Sequence, residues 1–203
     1  MVSASPFLWV ANHPALDFLN TELMQAGTRI DLLPNFETVV VWLGEAQLLV
    51  GATPASALAR FQHARDRAKL LDEARELRAA LRGLVEQRIA AKRASAALLD
   101  RINAYLELDA GHARLATTSS GIVRRFEREL RAPGQLLQPL ASATAELLCD
   151  IDPARIKPCA NHACILYFLD TSKNRTRRWC SMELCGNRTK VAAHYRRQRE
   201  EQD

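Results

Sequence analysis

The residues best suited to chemistry are four cysteines in the C-terminal quarter of this 203-residue chain. They form two pairs with the same Cys-x4-Cys spacing, and fifteen residues separate the pairs. Zinc accepts four thiolates at about 2.3 Å, and two short pairs joined by a longer loop can close a tetrahedral shell around it. Four intervening residues per pair lie within the range that structural zinc sites use. The spacing therefore predicts one Zn²⁺ with four ligands: Cys159, Cys164, Cys180 and Cys185.

Two disulfides or four free core thiols are the alternatives to a metal site. The first eight residues have neither a basic start nor a long apolar run, so we expect no secretory leader and a cytoplasmic location. Disulfides are uncommon in that compartment, and free thiols would not be expected to cluster with this symmetry. His162 could replace a ligand, although it lies between two suitably spaced cysteines. Cys149 lies in an apolar helical run and is predicted to be a small buried hydrophobe.

The basic charge is concentrated around these cysteines. Residues 155–199 contain 11 Lys and Arg against 2 Asp and Glu, whereas residues 1–154 contain 17 against 18. This asymmetry favours a polyanionic partner, although a solvated basic face is the alternative. The planar fork of arginine can donate two hydrogen bonds to phosphate oxygens or to a guanine edge. The predicted nucleic-acid contacts are Lys173, Arg175, Arg177, Arg178, Asn187, Arg188 and Lys190.

The sequence gives no support for an enzyme. A catalytic zinc usually has three protein ligands and one open position, whereas four cysteines close the shell. The chain contains no His-Glu-x-x-His, Gly-x-Ser-x-Gly or phosphate-binding glycine loop. No run approaches the roughly 20 apolar residues of a membrane span, so we expect no membrane partner.

The C-terminal segment resembles a known family, the CGNR zinc finger. The resemblance covers residues 168–182 and the run Cys-Gly-Asn-Arg-Thr-Lys that begins at Cys185. In that family an ABATE domain, described as a stress-induced transcription regulator, precedes the finger, and residues 12–21 resemble the opening of that domain. Lys173 departs from the family pattern, which more often has Arg. The resemblance implies a zinc-dependent, stress-responsive regulator of transcription that binds duplex DNA.

The predicted fold is α+β and mostly α, with an N-terminal helical domain over residues 1–154 and a treble-clef-like finger over 155–203. Apolar periodicity and caps predict helices over residues 11–21, 35–50, 54–93, 95–108 and 135–149. A β-hairpin is predicted around Ser119 and Ser120, and an extended segment over residues 28–33. In the finger we expect strands at 165–169 and 177–180 and a helix from Asn187 to about Arg199.

The N-terminal domain is expected to sense a small-molecule effector or to form a homodimer. His13, Asp17 and Asn20 lie close together near the first helix and could line a ligand pocket. Capping and internal hydrogen bonds are the alternative that we favour for these three residues. For the finger, the alternative to DNA is an RNA-binding or protein-interaction module without sequence-specific DNA binding.

Overall fold

The computed structural model describes residues 5–49, 51–108, 111–127 and 129–187. Its fold is α+β and mostly α, as predicted. The chain packs as two compact units, which we call the helical unit, Leu33–Asp150, and the cysteine-centred unit, Met1–Leu32 with Ile151–Asp203. Residues 5–32 thus pack with residues 151–187, and the predicted domain division at residue 154 stays a prediction about independent folding. No helix among the described residues is long and apolar enough to cross a membrane.

Two of the five α-helices that the structure describes in the helical unit begin at side-chain caps. The helices are α2 (Phe36–Glu45), α3 (Pro54–Arg60), α4 (Ala64–Ile89), α5 (Ala96–Leu106) and α6 (Gln138–Cys149), and a 3₁₀ helix (Pro133–Leu137) precedes the last. The Asn35 side chain accepts a hydrogen bond from the Thr38 amide at 2.9 Å and caps α2, as its position in the sequence predicts. Thr53 and Ser56 form a capping box at the start of α3.

The core of the helical unit lies along α4. The apolar positions that recur every three or four residues are buried, as the periodicity predicts: Leu70, Ala74, Leu77, Leu81, Leu84 and Val85. The prediction of one continuous helix over 54–93 is wrong, because α3 ends at Arg60 and α4 begins at Ala64. Phe61 has a non-helical backbone, with φ −110° and ψ 71°, and its buried ring packs in the core. The break between α3 and α4 therefore occurs where the Phe61 ring is buried in the core.

A β-hairpin completes the helical unit, as predicted. Strand β3 (His112–Thr118) pairs with β4 (Gly121–Glu127) in antiparallel register, and Gly121 supplies the turn with φ 125°. The prediction that Cys149 is buried is wrong. Cys149 is exposed at the end of α6, whose buried face includes Leu140, Thr144 and Leu147. A position two residues after Leu147 lies about 200° around the helix and therefore faces away from the core.

Short elements form the cysteine-centred unit. Helix α1 (Pro14–Leu19) is followed by the hairpin β1 (Glu22–Gln25) and β2 (Thr28–Asp31), and later by the hairpin β5 (Ile156–Pro158) and β6 (Tyr167–Leu169). Ala26 and Gly27 both have positive φ, 49° and 81°, which suits the two-residue turn between β1 and β2. A five-residue π-helix (Met182–Gly186) carries the last cysteine. The β1–β2 hairpin was not predicted as a hairpin.

The strand pairing in the finger differs from the prediction. Strand β6 pairs with β5, and residues 177–180 do not form the expected returning strand. Among the described residues, the backbone of this segment pairs at a single point, where the Ala160 amide donates to the Arg178 carbonyl at 2.8 Å. Residues 177–180 therefore form a loop and not a strand of a hydrogen-bonded sheet. The helix predicted from Asn187 to Arg199 lies outside the described residues except for its first position.

Candidate metal centre and basic turn

The four predicted cysteines lie together. Their sulfur atoms are all within 4.8 Å of one another, and the sulfurs of Cys164 and Cys180 are 3.9 Å apart. Four thiolates at about 2.3 Å from a tetrahedral zinc are separated by about 3.8 Å. A disulfide would need about 2.0 Å, so this pair is not bonded. Cys159, Cys180 and Cys185 are buried and Cys164 is half-buried, which is the enclosure expected of a structural metal site.

Each cysteine pair is positioned by a local backbone motif. The β5–β6 hairpin presents the first pair, and the Cys159 amide donates to the Leu166 carbonyl at 2.9 Å. Asn161 closes the turn, because its side-chain oxygen accepts from the Ala163 amide at 3.1 Å and its carbonyl accepts from the Cys164 amide at 2.8 Å. In the second pair, the Ser181 hydroxyl accepts from two amides at the start of the π-helix. Each pair is therefore formed by its own turn, and the hydrogen bond from the Ala160 amide to the Arg178 carbonyl joins the two segments.

Gly186 packs closely against the side chains of Met182 and Trp179. A Cβ added there would lie 2.6 Å from the Met182 sulfur and 3.5 Å from the Trp179 ring. A contact under 3.0 Å cannot be kept, so a larger residue would shift the end of the flexible, partly exposed Met182 side chain. The glycine of the Cys-Gly-Asn-Arg tetrapeptide thus has a packing role in this structure.

Hydrogen bonds to sulfur and the proximity of the four thiols shape the electrostatics of the cluster. The Cys180 amide donates to the Cys159 sulfur at 3.4 Å, and the Asn161 side-chain amide lies 3.5 Å from the Cys185 sulfur. A hydrogen bond from the Cys180 thiol lowers the pKa of Cys164 to about 5. The same hydrogen bond raises the pKa of Cys180, and burial raises it further. Donors to sulfur and a readily formed thiolate both suit coordination of a dication. The donor set therefore fits a zinc ion, whereas His162 is exposed and lies outside the cluster.

A second feature lies beside the cysteines: the basic turn, residues 171–178, which Asp170 holds in place. The Asp170 carboxylate has 0% exposure and accepts hydrogen bonds from Lys157 at 2.6 Å, from the Ser172 amide at 3.0 Å and hydroxyl at 2.6 Å, and from the Arg177 amide at 3.1 Å. Burial alone would raise the pKa of Asp170, but the hydrogen bonds from Lys157 and Ser172 outweigh it and hold the pKa well below its usual range. A buried, ionised carboxylate with these donors fixes both ends of the turn.

The predicted nucleic-acid residues are not equivalent in the structure. The Arg177 guanidinium donates to the carbonyls of Val10, Trp179 and Cys180 and lies 4.2 Å from the centre of the Phe168 ring. Its Nε and Nη2 donors are therefore used inside the unit. The exposed members of the predicted set among the described residues are Lys173, Arg175, Arg178 and Asn187. Arg188 and Lys190 lie outside the described residues.

The exposed basic side chains have only weak internal contacts. Arg175 forms an ion pair with Asp152 at 2.9 Å, and both side chains are nearly half exposed. The Arg178 guanidinium lies 5.3 Å from the centre of the Trp179 ring. Exposed ion pairs contribute little to stability, so these groups can exchange such contacts for a phosphate at small cost.

Family models match both parts of the sequence. The CGNR zinc finger matches residues 155–198. ABATE, described as a "Putative stress-induced transcription regulator", matches residues 12–151, which is more than half of the chain. The chain belongs to the ABATE family. No curated protein matches it.

The predicted ligand residues of the ABATE segment are engaged with backbone groups. His13 caps α1 by accepting from the Ala15 amide at 3.2 Å, and one Asp17 oxygen accepts from the amides of Val10 at 3.0 Å and Ala11 at 2.9 Å. The Asn20 side chain exchanges two hydrogen bonds with the backbone of Tyr167, at 2.9 and 3.0 Å. These contacts are caps and internal hydrogen bonds, and a ligand-binding role for the three residues stays a prediction.

Asn20 and Arg177 join the opening of the ABATE match to the CGNR finger. The Asn20 amide extends the edge of β6 as a neighbouring strand would. Arg177 donates to the Val10 carbonyl at 2.6 Å and faces Asp17, whose pKa burial raises to about 6, although the two amide donors and Arg177 lower it. Sequence reasoning missed this connection, since it assigned the two segments to separate domains.

Sequence reasoning also missed Asp170 and Lys157. The available signal was the triplet Asp170-Thr171-Ser172, because aspartate two residues before a serine often closes a turn by accepting its amide. Nothing in the local sequence indicates that the donor Lys157 lies opposite, since 12 residues separate it from Asp170. That pairing depends on the β5–β6 register.

Proposed function

We propose that this protein is a DNA-binding regulator of transcription, with a stress response as its biological setting. In this proposal the CGNR finger holds a structural zinc ion and presents the basic turn to duplex DNA. The observation that carries it is the exposure of Lys173, Arg175 and Arg178 on a turn that the buried Asp170 fixes beside the cysteine cluster. Duplex phosphates attract such a surface without requiring a catalytic group.

The proposed role of zinc is structural. Cys159, Cys164, Cys180 and Cys185 would occupy a tetrahedral shell completely and leave no position for an activated water. Zinc would fix the π-helix and the β5–β6 hairpin on one scaffold, and both elements adjoin the ends of the basic turn. We place the protein in the cytoplasm, because thiolate ligands must stay reduced. The proposal includes no catalytic step.

Charge-removal variants with a matched control test the DNA contact. The test variant replaces Lys173, Arg175 and Arg178 with alanine, and the control replaces three exposed basic residues of the helical unit, Lys92, Arg124 and Arg125. If the test residues meet three phosphates, the slope of log K against log salt becomes less negative by about 2 to 3. The control should keep the wild-type slope, because its residues belong to the helical unit and not to the basic turn.

Zinc content measured on both variants separates a contact from a folding defect. An unchanged slope in the zinc-loaded test variant would contradict the proposed contact. Arg177→Lys offers a second comparison. Because Arg177 makes its contacts inside the unit, this variant should lose stability but should lose no direct contact with DNA. If Arg177→Lys keeps its stability but loses affinity, Arg177 belongs to the interface instead.

One observation favours RNA or another single-stranded nucleic acid as a second candidate. An open groove of about 580 Å³ lies next to the basic turn and is lined by Arg178, Trp179 and Met182, with polar side chains around them. Unpaired bases stack on aromatic rings and on guanidinium planes. Competition between duplex DNA and single-stranded RNA of the same length separates the candidates, since the DNA proposal requires the duplex to compete better.

A further inference from the structure

A cavity inside the helical unit has the size and lining of a small-molecule site. It lies between α4, α5 and the 3₁₀ helix, and its volume is about 290 Å³. This is close to the lower end of the range for small-ligand pockets. Leu77, Leu108 and Ala132 contribute apolar surface, and Glu73 and Tyr105 contribute polar atoms.

The Glu73 carboxylate is the polar group that distinguishes this cavity. Its Oε2 atom is buried and has no hydrogen-bond partner among the described residues. The other oxygen lies 3.6 Å from the Lys69 ammonium, whose side chain is mostly exposed. A Cβ at Gly134 would come within 2.9 Å of Oε2, so the glycine at that position makes room for the carboxylate. Burial raises the pKa of Glu73, because it removes part of the hydration of the ionised form.

The remaining charged and polar groups of the lining have partners of their own. Arg101 forms an exposed ion pair with Glu76 at 3.3 Å, and the Tyr105 hydroxyl donates to the Glu73 carbonyl at 3.4 Å. An anion would therefore have to displace Glu76 from Arg101 and approach Glu73. A cation would share the Glu73 carboxylate with Lys69 but would leave the Arg101–Glu76 pair in place, and charge-assisted hydrogen bonds are stronger than neutral ones.

We propose that this cavity binds a small organic cation, with an amine or amidine donating to Glu73 and an apolar group packed against Leu77 and Leu108. The proposal is independent of DNA binding by the finger, because every residue of the cavity belongs to the helical unit. It moves the expected effector site of the ABATE segment away from His13, Asp17 and Asn20, which are engaged with backbone groups. An effector of this class would give the helical unit a sensing function.

Three probes of similar shape test the charge preference: benzylammonium chloride, benzyl alcohol and sodium benzoate. Each is titrated into the full-length, zinc-loaded protein, and amide chemical shifts report where and how tightly it binds. Benzylammonium should bind about tenfold more tightly than benzyl alcohol, because it adds a charged hydrogen bond. Benzoate should bind more weakly than either. Equal binding of the three probes, or no saturable binding of benzylammonium, overturns the proposal.

Three variants locate the effect. Glu73→Gln should reduce the preference for benzylammonium over benzyl alcohol to less than about twofold, because the charged acceptor is lost. Glu76→Gln is the matched control: it removes a carboxylate from the same helix and the same lining but should keep the preference. Ala104→Phe fills the cavity from an exposed position on α5 and should abolish binding of all three probes.

The thermal unfolding midpoint of each variant without ligand reports whether it folds. A folded Glu73→Gln variant that keeps the full preference overturns the proposal. A Glu76→Gln variant that loses it equally also overturns the assignment to Glu73. If Glu73→Gln does not fold, Ala104→Phe alone decides, since retained binding there would place the probe outside the cavity.

Discussion

Different interactions stabilise the interior of the helical unit and the interior of the cysteine-centred unit. Along α4, leucine and alanine side chains repeat with helical spacing and form most of the buried face, which also includes Arg78. In the cysteine-centred unit, the elements are three to six residues long, and buried polar groups such as Asp170 and Asn20 join them. Short hairpins are marginal on their own. The comparison teaches that the helical unit can depend on apolar burial, whereas the other unit depends on a few specific contacts and, in our proposal, on zinc.

The largest effect should come from the loss of one zinc ligand. Cys180→Ser is expected to reduce bound zinc from one equivalent to nearly none, because structural zinc contributes about 10 to 16 kcal/mol to small zinc domains. The control, Cys149→Ser, should keep a full equivalent, since Cys149 is exposed and lies outside the cluster. Metal analysis after dialysis measures both.

Circular dichroism of the same two proteins tests the difference between the units. In Cys180→Ser the helical signal and its cooperative unfolding should persist, because the helical unit has its own core. Simultaneous loss of the helical signal would show that both units depend on the zinc site and would contradict independent folding of the helical unit.

The next largest effect should come from the anchor of the basic turn. Asp170→Asn is expected to lower the free energy of unfolding by about 3 to 5 kcal/mol, because it leaves the Lys157 charge without its buried partner. Asp152→Asn removes an exposed partner of Arg175 and should change stability by less than about 1 kcal/mol. Denaturant unfolding of the zinc-loaded proteins compares them. Equal effects of the two variants would contradict the assigned role of Asp170.

The smallest effect should come from Asp17. Its raised pKa of about 6 means that the folded state favours the protonated carboxyl, so its contribution to stability is present at low pH and is lost as pH rises from about 4 through about 6. Relative to Asp17→Asn, the wild type should lose about 1 kcal/mol between pH 5 and pH 7.5. A difference that stays constant or grows with pH would contradict the effect of burial.

Predictability from sequence also differs between the units. Leu70, Leu77 and Leu81 were assigned correctly because helical periodicity is local information. The cysteine cluster was also predictable, since ligand spacing limits which residues can meet. The role of Arg177 was not, because its position next to Val10 and Phe168 depends on contacts between segments far apart in the sequence. Charge alone could not separate this internal arginine from the exposed Arg175 and Arg178.

The central claim is that zinc organises the basic turn into a surface that binds duplex DNA. Fluorescence anisotropy with a labelled random-sequence duplex at low salt tests it directly, with the same sample measured before chelation, after chelation and after zinc is restored. The account predicts binding by the zinc-loaded protein, a loss of affinity of at least about tenfold on chelation, and full recovery with zinc. Equal affinity with and without zinc, or no binding by the zinc-loaded protein, would contradict it.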